Sequence, residues 1–395
     1  MIRHQLPAYS PLSAKAVLLA TRQFSGLGED PRPGLRALLQ REYEAGSVLL
    51  CGSGTQALTI AIEEARRRVD PKAPVALPAF SCFDVASAAV GANALVSLYD
   101  LDPDTLSPDL GSKQRALRAG AGVVVVAPLY GIPVDWQALT TLAERYAAVL
   151  VEDAAQGQGA SWRGKRLGTL GEIAILSFGR GKGWTGGSGG AVLISDSADP
   201  ARGDFSEPEC SRRAAVTIGV AAQWALARPA IYGLPLSIPA LRLGDTKYVA
   251  PRPVRAITRV AAATLVATYE ASLKEADVRQ SNATVLVTAI ADCQQVTPIP
   301  AESSRHAGYL RLPVRVPKGM ASFLDAQRAL HLGIAPSYPI SLAALPQLAG
   351  RLVGPEGVWA GAQTLVRELV TVPTHSRLGA RELREIIGIF RAPVL

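Results

Sequence analysis

Three short segments set reactive or ligand-binding residue types at the ends of apolar runs. The first is SVLLCGSGTQALTIAIEEA, residues 47–65. A strand-like run enters Gly52-Ser53-Gly54-Thr55 and continues as a helical pattern. Glycines allow close backbone approach, and a helix N-terminus offers free N–H groups and a positive dipole end, so the turn suits a phosphate. The letters also fit the dinucleotide pattern GxGxxA, but the acidic residue expected about twenty positions on is missing. An ordinary tight strand–helix turn would read the same way. The second segment is VLVEDAAQGQGA, residues 149–160, which ends a buried strand on Glu152 and Asp153 with Gln156 following. A carboxylate there is costly unless paired or hydrogen-bonded, although an Asp can also cap the following turn. The third is SFGRGKGWTGGSGGAVLISD, residues 177–196, with Lys182 alone among glycines. A Walker A loop needs Ser or Thr after the lysine and finds Gly183. A desolvated lysine between interior strands can act as an amine nucleophile toward an aldehyde.

One chemistry joins a phosphate seat, a buried carboxylate and an amine nucleophile: that of pyridoxal phosphate (PLP). The phosphate sits on the helix N-terminus, the carboxylate keeps the pyridine nitrogen protonated, and the lysine condenses with the aldehyde.

The elements that must hold these residues follow from periodicity. Apolar runs at 47–51, 73–80, 94–102, 122–128, 148–155, 172–179 and 190–196 read as strands. Helical patterns at 55–68, 84–92 and 136–147 lie between them. GVVVVAP is β-branched throughout, as in a strand buried on both faces. Alternation of this kind predicts an α/β fold with a mostly parallel sheet flanked by helices. An N-terminal arm and a helix near 33–45 precede it. A polar connector is expected at 199–213, a helix-rich stretch at 253–294, and a smaller α+β unit at the end. The expected division is 1–248, arm and large domain, and 249–395, small domain.

The chain has 395 residues, 48% hydrophobic and 19% charged, with a net charge of +8. That composition predicts a well-packed globular protein, and the positive excess suits a phosphorylated or nucleotide-linked ligand as well as an arginine-rich surface. Lys and Arg are not clustered with interleaved aromatics, so a nucleic-acid partner is not expected. The four cysteines and four histidines show no metal-ligand or disulfide spacing. The start lacks a hydrophobic signal segment, and a cytoplasmic protein is expected. Residues 214–243 are the most apolar long region, interrupted by Arg228 and prolines. A buried interface segment is the expectation there, with a membrane-contacting hairpin the other reading.

The chain resembles the DegT/DnrJ/EryC1/StrS family of fold type I PLP enzymes. The resemblance is carried by SGTQAL (53–58), PAFSCFDVASAAV (78–90), VSLYDLDPDTLSPD (96–109), VVAPLYGIPVDWQAL (125–139), VEDAAQGQGASWRGKRLGTLGEIAILSF (151–178) and GKGWTGGSGGAVLISD (181–196), with a weaker match at 376–390. It implies a fold type I aminotransferase, homodimeric with the active site at the interface. Such an enzyme passes an amino group from glutamate or glutamine to a keto sugar, nucleotide-linked, in polysaccharide, glycan or natural-product assembly. By position it implies Lys182 as the lysine bound to the cofactor, Asp153 at the pyridine nitrogen, and Gln156 near the phenolic oxygen. It places Gly54, Thr55 and Ser177 at the phosphate and Phe83 as the ring-stacking aromatic. The chain departs from the family pattern at Ser188, where Glu is common. The family's Asn-x-Arg segment is replaced by an enlarged 200–248 region, and PSYPISLAALP (336–346) stands in the substrate segment. Other readings are a PLP-dependent lyase, decarboxylase or C–C bond-forming enzyme, a non-catalytic PLP-binding protein, and, least supported, a nicotinamide dehydrogenase.

Overall fold

The computed structural model describes residues 4–195, 210–236, 246–302, 305–354 and 357–392. Helices α1 (Ala14–Phe24) and α2 (Arg32–Glu42) come first. An alternating succession follows: β1 (Ser47–Cys51), α3 (Gly54–Arg68), β2 (Val75–Pro78), α4 (Phe83–Gly91), β3 (Val96–Tyr99), α5 (Leu110–Arg118), β4 (Val123–Val126), α6 (Trp136–Glu144) and β5 (Val149–Asp153). The short pair β6 (Ser161–Trp162) and β7 (Lys165–Arg166) leads to β8 (Ile173–Ser177) and β9 (Gly190–Ile194).

Among the described residues these strands form a seven-stranded sheet in the order β1-β9-β8-β5-β4-β2-β3. Strands β8, β5, β4, β2 and β3 are parallel, and β9 runs antiparallel to both β8 and β1. Every strand but β9 therefore ends on the same edge of the sheet. β4, four consecutive valines, is 0% exposed along its length, as a strand covered on both faces must be. The expected α/β architecture is what the chain adopts.

The second half is α7 (Cys210–Leu226), α8 (Pro229–Leu236), the long α9 (Arg259–Ile290), β10 (Thr297–Pro298), β11 (Arg305–His306), β12 (Leu312–Arg315), α10 (Ala326–His331), β13 (Ala335–Pro336), α11 (Ala360–Glu368), β14 (Leu369–Val372) and α12 (Ala380–Arg391). A second sheet has the order β10-β12-β14-β13. Residues 249–258 lie against the first sheet: Gly52 N–H donates to the Arg255 carbonyl at 2.8 Å, and Cys51 bridges Ala256. The second sheet begins only after α9.

Two elements depart from expectation. α5 reads LGSKQRALR, too polar to show a helical stripe, and is started by Asp109, whose carboxylate accepts from Ser112 N–H at 2.6 Å. α7 begins inside the expected connector and packs Val216 and Val220 inward while Ile218 is 69% exposed. One face of it packs against the chain, and Ile218 lies on the other. The rest of that connector, and the end of the 214–243 stretch, lie outside the described residues. No described helix is long and apolar enough to cross a membrane.

Candidate active site

The common edge of the sheet carries a pocket. β1 ends at its rim and turns through Ser53 into α3. Ser53 caps the helix by accepting from Gln56 N–H at 3.2 Å, and Gly54 and Thr55 at the start of that helix line the pocket. Close approach fixes the residue type at Gly54, where a Cβ would stand 2.5 Å from both Cβ and Oγ of Ser177. Gly190 is constrained in the same way, its Cβ position lying 2.4 Å from the Ser53 carbonyl oxygen. The register explains this crowding, because Gly190 pairs with Ser177 on one side and Cys51 on the other.

β5 delivers two carboxylates with opposite fates, since neighbouring strand residues face opposite ways. Glu152 is 0% exposed and accepts from the N–H groups of Gly168, Leu170 and Gly171 at 2.6, 2.8 and 3.1 Å. It ties down the 168–171 turn. Asp153 lines the pocket, is 8% exposed, and accepts from Ala155 N–H at 3.0 Å. Burial pushes its pKa up, and the Lys182 charge opposes that shift. A cationic ring partner would hold it ionised.

Lys182 lies in the turn between the adjacent strands β8 and β9, half-buried and lining the pocket. The turn is pinned from below by Trp184, which is 2% exposed, donates from Nε1 to the Leu265 carbonyl at 3.0 Å, and packs against Phe178 and Tyr269. Gly183, at φ +79°, turns the chain in the left-handed region beside the Arg279 guanidinium. Arg279 is itself 1% exposed and donates to the Gly308 and Gln158 carbonyls at 2.8 Å each.

Gln156 also lines the pocket, and its amide is fixed at both ends. Oε1 accepts from Tyr130 N–H at 2.9 Å, and Nε2 donates to the Tyr338 hydroxyl at 3.2 Å. Tyr130 adopts φ +57°, a conformation that a tyrosine holds only when its surroundings over-determine it.

The lining therefore brings together Gly54, Thr55, Asp153, Gln156, Ser177 and Lys182, six of the seven residues singled out from the sequence. Phe83 is the exception: it does not line the pocket, and it is 5% exposed within the apolar core. It is the first residue of α4, and the residues before and after it, Cys82 and Asp84, face the pocket in its place. Burial pushes the Cys82 thiol up to about 11, so it is not a thiolate at neutral pH. Sequence reasoning missed Ser81, Cys82 and Asp84 at the pocket and Tyr130 beside it. Tyr130 follows β4 directly, and the strand-end rule could have found it. Ser188 does not line the pocket; its neighbour Gly189 bridges Ser53.

The fit to PLP can be judged from these observations. A glycine-lined seat at a helix start suits a phosphate, a buried carboxylate without a cationic side-chain bond suits a pyridinium, and one amine faces both.

Comparison with known proteins agrees. Residues 37–202 match the profile of the DegT/DnrJ/EryC1/StrS aminotransferase family. The match covers less than half of the chain. A curated relative, L-glutamine:2-deoxy-scyllo-inosose aminotransferase from Micromonospora echinospora, is 36% identical over 156 residues, 40% of this chain and 37% of that protein. The chain thus matches little more than a third of that relative's length. The crystal structure of the sugar aminotransferase CalS13, also from Micromonospora echinospora, superposes with a TM-score of 0.75 at 19% identity, covering 99% of this chain and 100% of that one. The PLP form of a Streptococcus pneumoniae protein assigned as a sugar aminotransferase gives 0.74 at 17% identity, covering 98% of each. Together they extend the shared fold across the whole chain.

Proposed function

We propose that the protein is a PLP-dependent aminotransferase that moves an amino group from glutamate or glutamine to a keto sugar or similar polyhydroxylated ketone in natural-product or glycan biosynthesis. The observation that carries this reading is the convergence of Lys182, Asp153 and the Gly54–Ser177 seat on one pocket. When bound, the cofactor supplies an electron sink for charge developing at the donor's α-carbon. Thr55, Ser177 and the N–H groups of α3 hold the phosphate, with the helix dipole favouring its charge. Asp153 carries the negative charge that keeps the ring nitrogen protonated. Gln156, held by Tyr130 and Tyr338, orients the ring edge. Lys182 would anchor the cofactor, and its amine would be the base that moves the proton.

The curated relative's name pairs L-glutamine with a cyclic ketone derivative, which supports both halves of the substrate assignment. We further propose a homodimer with its active site at the interface, and a cytoplasmic setting. Cys51, Cys82 and Cys293 carry no disulfide, as suits a reducing compartment.

The experiment is borohydride reduction of the purified protein followed by peptide mapping. The pyridoxyl label is expected on Lys182 and absent from Lys182→Ala. A parent protein carrying no label at Lys182 would refute the assignment. Transfer is separated from lyase chemistry by adding L-glutamine or L-glutamate: a stoichiometric keto acid and the aminated cofactor must appear together.

A further inference from the structure

Among the described residues, no aromatic side chain lines the pocket. A flat cofactor ring still needs a face contact from uncharged, polarisable atoms. The strand ends supply Ala127 and Ala155, and the start of α4 supplies Cys82, Asp84 and Val85. Asp84 is charged and exposed, and Val85 is 2% exposed. Cys82 is half-buried, so its sulfur reaches further into the open part of the pocket than Val85 does.

The sulfur is held there from its own side. Cys82 is the N-cap of α4, and its side chain makes no capping bond to that helix. Instead the thiol donates to Asp84 Oδ2 at 3.6 Å, which fixes the direction of the sulfur. Asp153 and Lys182 line the same pocket, Asp153 with no side-chain partner among the described residues. The charges of both reach the thiol. A ring held by its nitrogen at Asp153 and by its aldehyde carbon at Lys182 spans the ground between them, and Cys82 is the neutral soft atom that senses both ends. Kept as a thiol by burial, it offers polarisability without the charge of a nucleophile.

We propose that Cys82 makes the face contact to the ring of the bound cofactor, so that the loaded protein carries a thiol shielded by its own cofactor. The inference rests on the PLP reading and adds to it the residue that meets the ring.

The test is timed alkylation by iodoacetamide with peptide mapping, on the loaded protein and on the form stripped with hydroxylamine. Cys293, which is free and lies outside the pocket, is the internal control. Cys82 should react in the stripped protein and slow by about tenfold or more on loading, since only the unloaded fraction is labelled. Cys293 should react alike in both. Inorganic phosphate fills the seat at Gly54 and Thr55 without a ring, so it should leave the Cys82 rate within about twofold of the stripped form. Pyridoxamine phosphate, which has the ring and no aldehyde, should protect as PLP does. Cys82→Ser keeps the shape and removes the polarisable sulfur. It should release cofactor on dialysis about threefold to tenfold faster than the parent, with the urea midpoint of the stripped form unchanged. Equal protection by inorganic phosphate and PLP, or a Cys82 labelled as fast in the loaded as in the stripped protein, overturns the contact. So does a Cys82→Ser protein that retains cofactor like the parent, or one whose faster release comes with a lower midpoint of the stripped form, which marks a merely structural cysteine. The two readings fail separately. A pyridoxyl label on Lys182 with an unprotected Cys82 sinks this inference alone, whereas no label at Lys182 sinks the cofactor reading and this inference with it.

Discussion

Replacing Lys113 by Met is expected to stabilise the protein by about 4 kcal/mol at neutral pH, an unusual sign for a position that is 0% exposed. The ammonium is enclosed between α5 and α6, where it donates to the Leu139 carbonyl at 3.2 Å. Burial pushes its pKa from 10.5 down to about 7. Each pKa unit is worth about 1.4 kcal/mol, so holding the charged form in the fold costs about 5 kcal/mol, and about 4 kcal/mol near pH 7, where half the molecules are already neutral. Between pH 7 and 10.5 the unfolded chain binds the proton that the folded chain has released. Stability of the parent therefore rises with pH across that window and falls as the pH drops toward 7. Methionine keeps the unbranched reach without the charge. Its advantage should shrink to about 2 kcal/mol near pH 9. Urea unfolding of both proteins at several pH values measures the difference directly. A pH-independent gap, or a variant less stable than the parent at neutral pH, would refute the reasoning. Lys113 is also the lysine that basicity alone would nominate as a nucleophile, but it lies outside the pocket, so the pyridoxyl label should pass it by.

Two further changes address the pocket. Asp153→Asn preserves shape and removes the charge, so cofactor content should stay at the parent level while the donor half-reaction slows by about 10²–10³; a parent-like rate with full cofactor would remove Asp153 from the mechanism. Gly54→Ala drives a methyl to within 2.5 Å of Ser177; overpacking should cost about 1–3 kcal/mol of stability and weaken cofactor retention on dialysis. Adding Ser177→Gly should restore the stability, and failure to do so would mean that the crowding is not the cause.

The parallel strands and the residues at their ends could be read directly, because in an open α/β sheet a chain-local motif at a strand's end lands on one shared edge. That is why Gly54, Asp153 and Lys182, far apart in sequence, could be joined before any coordinates. Phe83 could not be assigned, since which of two neighbours faces the pocket depends on where α4 starts its first turn. α5 was invisible for a different reason: its packing rests on Ala116, Leu117 and the stem of Lys113, not on an apolar stripe. Ser337 and Tyr338 meet Tyr130 and Gln156 at the edge of the site through the pairing of β12, β14 and β13. Long-range pairing of that kind leaves no local pattern in the chain.

Trp184 sets the limits of the unit that can work alone. Every residue lining the pocket lies between Gly54 and Lys182, inside the segment 37–202 shared with the family. The groups that peg the lysine turn lie beyond it: Leu265 receives the Trp184 indole, and Arg279 clamps the Gln158 and Gly308 carbonyls. An excised fragment ending at 202 would carry the complete set of reactive side chains and lack the floor beneath them. The family-matched stretch is thus a chemical inventory and not an autonomous module, and a working enzyme must wait for α9 to be synthesised and docked.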